Sequence, residues 1–198
     1  MKVLQPKRVK QPRFLLMYSA LQFAPEEMAK PDGSLSLPYL AGALRDESYD
    51  VDILDVSVGN KKDKLKDTFF NTTYLPSGLI RCGMKRERIE EEIADYDAIG
   101  VSSIFTTQTT MVLDLIRTVK EVAPEKLVLT GGVNARNLRN RFFSAGADII
   151  CLSEAETTIV QIAEALRGLG TLTAVPGIAF LDGDGKEVTN PQGPVMMD

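Results

Sequence analysis

Residues 98–123 read AIGVSSIFTTQTTMVLDLIRTVKEVA, and the period of this stretch changes part-way along. Ala98 to Ser102 is a short uncharged run of the kind buried on both faces of a sheet. Six hydroxyl side chains follow in close order: Ser102, Ser103, Thr106, Thr107, Thr109 and Thr110. Met111, Val112, Leu115, Ile116, Val119 and Val122 then fall at helical spacing and stop before Pro124. A buried strand feeding a long amphipathic helix is the repeating unit of a parallel sheet covered on both sides.

The same rhythm extends in both directions. Phe14 to Tyr18, Val51 to Val56, Leu127 to Thr130 and Asp148 to Leu152 read as further buried strands, making five parallel strands in a doubly wound α/β sheet. Leu37, Leu40, Ala41 and Leu44 mark a helix with Pro38 in its first turn. Asn137 to Ser144 is a short helix closed by Gly146, and Ile159, Ile162, Ala163 and Leu166 line another stopped by Gly168. Residues 59–85 break the pattern and read as an inserted loop, followed by a charged helix from Arg86 to Ala94. Near the end, Ile178 to Leu181 and Glu187 to Thr189 flank Asp182-Gly183-Asp184-Gly185, a β-hairpin at a sheet edge. This divides the chain into a basic tail (1–12), a main domain (13–170), and a hairpin with the start of a linker (171–198).

Composition removes several chemistries. The 198 residues include no histidine, no tryptophan and two cysteines, Cys82 and Cys151. Without histidine there is no Ser-His-Asp or Cys-His catalysis and no His-ligated zinc. Two thiols alone cannot hold a four-cysteine cluster. A net charge of −4 argues against nucleic acid as a partner, because phosphate contacts demand a basic face. Lys2, Lys7, Arg8, Lys10 and Arg13 are a local exception and read as a solvated tail. No apolar run reaches the roughly 18–20 residues of a membrane span, and no signal peptide is evident. The expected compartment is the cytoplasm.

In a doubly wound sheet, ligands bind beyond the carboxyl ends of the strands. The loop after the first strand, Ser19-Ala20-Leu21, lacks the glycines of a dinucleotide site. The loop after Ser102 carries more hydroxyls than helix capping by Thr106 or Thr107 would use, which predicts a polar-lined slot. Gly131-Gly132 removes side-chain bulk from a strand end, so a large group can lie against the backbone. Ser153 and Glu156 have capping-box spacing at the last long helix.

Taken in order, Leu35 to Leu44, a strand ending at Asp55, Ile99-Gly-Val-Ser-Ser, Gly131-Gly132-Val133, Ala147-Asp148-Ile149-Ile150, Ser153-Glu154-Ala155-Glu156-Thr157 and Pro176-Gly177-Ile178-Ala179 resemble a known family. It is the N-terminal cobalamin-binding domain of B12-dependent radical S-adenosylmethionine (radical SAM) enzymes. The resemblance implies a flavodoxin-like (Rossmann-like) fold that holds the corrin ring over the strand ends with its nucleotide tail beside the sheet. It implies cofactor contacts from Ser102, Ser103, Ile104, Thr106 and Thr107, from Gly131, Gly132, Val133 and Asn134, and from Glu154 and Glu156. Ser19, Leu21 and Gln22 would lie beneath the ring.

The pattern departs from the family where Ser153 and Ala155 replace glycines and Asn134 stands where histidine is common. Without histidine, cobalamin would be bound with no imidazole ligand from this chain. The parent enzymes add a barrel that binds a [4Fe-4S] cluster and S-adenosylmethionine through a Cys-x-x-x-Cys-x-x-Cys loop. No such triplet occurs here, so the resemblance implies a cofactor-binding piece of a radical methyltransferase or related enzyme, with the barrel as its partner in cis. The alternative is a flavodoxin-like interaction module without ligand, docking through Phe69 and Phe70.

Overall fold

The computed structural model describes residues 8–31 and 33–192. Lys2 and Lys7 of the basic tail, and the linker beyond Gln192, lie outside the described residues. The chain order is β1 (Arg13–Tyr18), β2 (Leu21–Phe23), α1 (Ser36–Asp46), β3 (Asp50–Asp55), β4 (Thr72–Tyr74), β5 (Ile80–Cys82), α2 (Arg86–Ile93), β6 (Ala98–Ser102), α3 (Thr109–Val122), β7 (Leu127–Gly131), α4 (Val133–Asn137), α5 (Arg139–Ala145), β8 (Ile149–Cys151), α6 (Glu156–Arg167), β9 (Ile178–Leu181) and β10 (Glu187–Thr189).

The main sheet has seven strands in the order β10-β9-β8-β7-β6-β1-β3. β3, β1, β6, β7 and β8 pair in parallel, and β9 and β10 continue the sheet antiparallel beside β8. Counting only the parallel strands in chain order gives 2-1-3-4-5, the flavodoxin-like order, whose reversal point lies between β1 and β6.

Alternation along the strands sorts the core into two layers. Leu15 and Met17 face Ile99, Val101, Val128 and Ile150, covered by Ile89 and Ile93 of α2, Ile116 and Val119 of α3, and Phe142 of α5. Phe14, Leu16 and Tyr18 face the other way, under Leu37, Ala41 and Leu44 of α1 and Ile159, Ile162 and Ala163 of α6. A chamber opens in this second layer.

Three local expectations are corrected. The segment read as an inserted loop contributes β4 and β5 to a separate three-stranded antiparallel sheet, β2-β5-β4, in which Leu21 pairs with Cys82 and Cys82 with Thr72. Strands of three residues carry too little periodicity to stand out, and β2 and β5 lie far apart in sequence. The short helix expected from Asn137 is preceded by α4, which starts at Val133 directly after Gly132. The capping box does not form: α6 begins at Glu156 with Ala155 as its N-cap and no side-chain cap. The Ser153 hydroxyl turns to the Glu154 carbonyl, 3.5 Å away.

Candidate functional site

The carboxyl ends of β6, β7 and β8 and the first turns of α1 and α6 enclose a cavity of about 320 Å3. Its floor is two rows of side chains on one face of the sheet. The deeper row is Leu16, Gly100 and Leu129, and the outer row is Ser102, Gly131 and Cys151. Strand pairing aligns Leu16 with Gly100, Gly100 with Leu129, and Ser102 with Gly131. Gly100, Ser102, Gly131 and Cys151 are all small, so the sheet face is hollowed where neighbouring strands would project larger residues. Leu37 and Leu40 of α1, Ile159 of α6 and Ile104 form apolar walls.

Polar groups are few and mostly engaged. The Ser102 hydroxyl lies 3.0 Å from that of buried Ser34, which lies 2.7 Å from that of Ser36. The Thr130 hydroxyl donates to the Val101 carbonyl at 2.9 Å. Glu154, exposed, and Glu156, half-buried, line the rim. The Cys151 thiol is pushed up to about 12 by burial alone, so it stays protonated near neutral pH.

Gly132 sits behind the floor at φ +98°, where a Cβ would run into the Ser103 carbonyl oxygen. Only glycine permits this crossing. It lets the Ser103 N–H reach the Gly131 carbonyl at 2.9 Å and the Asn134 N–H reach the Ser103 carbonyl at 3.2 Å. The Asn134 side chain donates to the Ser103 and Thr109 hydroxyls at 2.8 and 3.0 Å. β6, β7 and α3 are thereby tied together just behind the chamber.

Of the residues expected to touch a cofactor, Ser102, Ile104, Gly131, Gly132, Glu154 and Glu156 line the cavity. The others do not. Ser103 and Asn134 are buried in the network behind it, and Ser19 is buried with its hydroxyl on the Ala20 carbonyl. Leu21 and Gln22 belong to β2. Thr106 and Thr107 form a 3-10 turn with no side-chain cap and face solvent, as does Val133. The hydroxyl used locally is that of Thr109, which donates to the Thr106 carbonyl at 2.6 Å. Sequence reading missed Gly100, Leu16, Leu129 and Cys151, although stepping back by two along each strand from Ser102 and Gly131 reaches Gly100 and Leu129. It read Leu37, Leu40 and Ile159 as core packing only.

The family model described as the B12 binding domain matches residues 33–163, a span from just before α1 into α6. The chain belongs to the B12-binding domain family. This B12-binding domain is 27% identical, over 202 aligned residues, to cytidylyl-2-hydroxyethylphosphonate methyltransferase of Streptomyces wedmorensis, with 96% of this chain and 36% of that protein covered. It thus spans about a third of that relative. Its fold resembles that of TsrM from Kitasatospora setae, a radical S-adenosylmethionine methyltransferase solved with cobalamin and a [4Fe-4S] cluster. The TM-score is 0.67 at 16% identity, over 95% of this chain and 30% of that one. The cobalamin-dependent S-adenosylmethionine radical enzyme OxsB, solved with aqua-cobalamin and S-adenosylmethionine, gives 0.66 at 21% identity over 94% of this chain and 23% of that one.

The residues of this B12-binding domain fit the nucleotide tail of cobalamin. A flat, largely apolar base needs a slot whose floor carries no bulk and whose walls are aliphatic, and the rows around Gly100 and Gly131 provide it. The cavity also falls at the lower end of the roughly 300–1,000 Å3 usual for small-molecule sites.

Proposed function

We propose that this chain holds cobalamin with its nucleotide tail in the chamber between α1 and α6 and its corrin over the ends of β1, β6 and β7. The observation that carries the reading is the hollowed floor formed by Gly100, Ser102, Gly131 and Cys151 within a B12-family domain. In this reading Ser102, Ile104, Gly131, Gly132, Glu154 and Glu156 contact the tail or its entrance. Ser103 and Asn134 act from behind by holding the strand ends. Ser19, Leu21, Gln22, Thr106, Thr107 and Val133 face the ring or shape the loops beneath it.

The corrin's cobalt supplies methyl-carrier chemistry when bound, and this chain's role is to hold and orient it. With no histidine in the chain, none of its residues offers the cobalt an imidazole. We assign residues 13–170 to the cofactor domain and place it in a cytoplasmic radical S-adenosylmethionine methyltransferase, the barrel in cis binding the [4Fe-4S] cluster and S-adenosylmethionine. The kinship with the Streptomyces methyltransferase supports this. Among the described residues, no helix is long and apolar enough to cross a membrane.

Hydroxocobalamin added to the folded protein should remain after desalting as a corrin spectrum at about one equivalent. Complete loss of corrin absorbance with the small molecules overturns the reading. A Cys-x-x-x-Cys-x-x-Cys sequence encoded downstream of Asp198 in the natural gene supports the barrel in cis, and its absence removes it.

A further inference from the structure

Cobamides share one corrin and differ in the base that ends the nucleotide tail, which is a benzimidazole in cobalamin and a purine such as adenine in others. We infer that the chamber discriminates between these bases, accepting an apolar benzimidazole in preference to adenine. This rests on the reading that the chamber receives the tail.

The case comes from counting hydrogen-bonding groups. Leu16, Leu129, Leu37, Leu40, Ile104 and Ile159 supply the floor and walls and offer no side-chain donor or acceptor. Thr130 has given its proton to Val101 at 2.9 Å. The Cys151 thiol is a weak partner and stays protonated. Ser153 is exposed at the rim with its hydroxyl toward the Glu154 carbonyl at 3.5 Å, which leaves to the interior the hydroxyl file Ser102–Ser34–Ser36, with contacts of 3.0 and 2.7 Å. Three hydroxyls carry three protons, and two are spent within the file, so one remains for an outside acceptor.

A dimethylbenzimidazole joined to its ribose has one ring nitrogen free, and that acceptor matches the single spare proton. Its two methyl groups gain from aliphatic walls. Adenine instead carries an amino group with two donors and more than one ring acceptor. Inside such walls most of these lose water without finding a partner, which penalises binding. The two carboxylates of the lining, Glu154 and Glu156, stand at the rim, in contact with solvent. They do not compensate a base seated on the Gly100 and Gly131 floor.

The test is equilibrium binding of the purified protein to three corrinoids, followed by visible spectroscopy and calorimetry: hydroxocobalamin, the adenine cobamide, and cobinamide, which has no nucleotide. Apolar pockets of this kind reject a polar near-isostere by roughly tenfold to a hundredfold. Cobalamin should therefore bind at least about tenfold more tightly than the adenine cobamide, equivalent to about 1.4 kcal/mol. Cobinamide should bind more weakly than cobalamin. Leu40→Gln, at the half-buried edge of the wall, should narrow the gap by giving adenine a partner. Equal or tighter binding of the adenine form overturns the inference while leaving cobalamin binding intact. Cobinamide binding as tightly as cobalamin overturns it by showing that the tail contributes nothing. Failure of all three to bind overturns the cobalamin reading itself.

Discussion

The side chain of Gln108 pairs with the backbone of Gln22 as a neighbouring strand would. Its Oε1 accepts from the Gln22 N–H at 2.9 Å and its Nε2 donates to the Gln22 carbonyl at 3.0 Å. Gln22 answers with its own Nε2, which donates to the Thr107 carbonyl at 2.5 Å. These contacts join the segments after β1 and β6, the two strands that flank the reversal of strand order.

Removing that clamp leaves two partly buried backbone groups without a partner. Gln108→Ala should cost about 1–3 kcal/mol in chemical denaturation and should speed loss of bound cobalamin on desalting. Unchanged stability and retention would show that the amide pairing holds nothing in place.

The two glycines after Thr130 should respond in opposite ways. Gly132→Ala puts a methyl group against the Ser103 carbonyl at a positive φ and should destabilise the fold by about 2 kcal/mol or more. At Gly131 the nearest atom to an added Cβ is the Cys151 Cβ, at an ordinary 3.5 Å. Gly131→Ala should keep thermal stability within about 0.5 kcal/mol yet weaken cobalamin binding, because the methyl projects onto the chamber floor. Thermal melts set beside corrin titrations separate the two effects.

Burial raises the Cys151 thiol from 9.0 to about 12. A thiol that ionises more readily when unfolded leaves the unfolded chain with fewer bound protons between those values. Its contribution to stability is therefore complete below about pH 9 and lost as pH climbs toward 12. Burial also raises the Cys82 thiol, against the opposing pull of Arg81, which adds to the same trend. Cys151→Ala should flatten the fall of unfolding free energy over this range, as read from denaturation series at several pH values. At pH 8 the native Cys151 should resist iodoacetamide, which requires the thiolate.

Phe69 packs against the core layer under α1 and α6, whereas Phe70 is 67% exposed. Their rings meet edge to face at 5.3 Å. Phe70→Ser should leave stability within about 0.5 kcal/mol of the parent. Phe69→Ala should cost more, up to about 3 kcal/mol for a half-buried ring. A change of oligomeric state in Phe70→Ser, seen by light scattering with the fold intact, would instead favour the docking-module reading.

The parallel strands and their helices were legible because each carries its own period: Met111 to Val122 announces a helix in isolation, and Phe14 to Tyr18 a buried strand. The site was legible only where it departs from that pattern, at Gly131-Gly132 and at the hydroxyl run after Ser102. Leu37, Leu40 and Ile159 are indistinguishable in sequence from core residues, because a chamber wall and a core contact require the same aliphatic surface. β2, β4 and β5 escaped for a different reason. β4 and β5 form a local hairpin, Tyr74 opposite Ile80, but three residues each are too few to show a period. The pairing of β2 joins Leu21 to Cys82, a separation that no local pattern announces.

The hairpin that closes the sheet settles a matter of parity. β8 runs toward the chamber, β9 runs away from it, and β10 turns the chain back again. A single added strand would have left the backbone at the opposite end of the molecule. With two, Pro191 returns to accept a hydrogen bond from the Gly177 N–H at 2.9 Å. Gly177 itself abuts Ser153 of the chamber lining, so closely that a Cβ there would lie 2.9 Å from the serine hydroxyl. The path of the chain past β10 is thus delivered to the doorway of the chamber, and a neighbour joined at that point would need no long tether to look in.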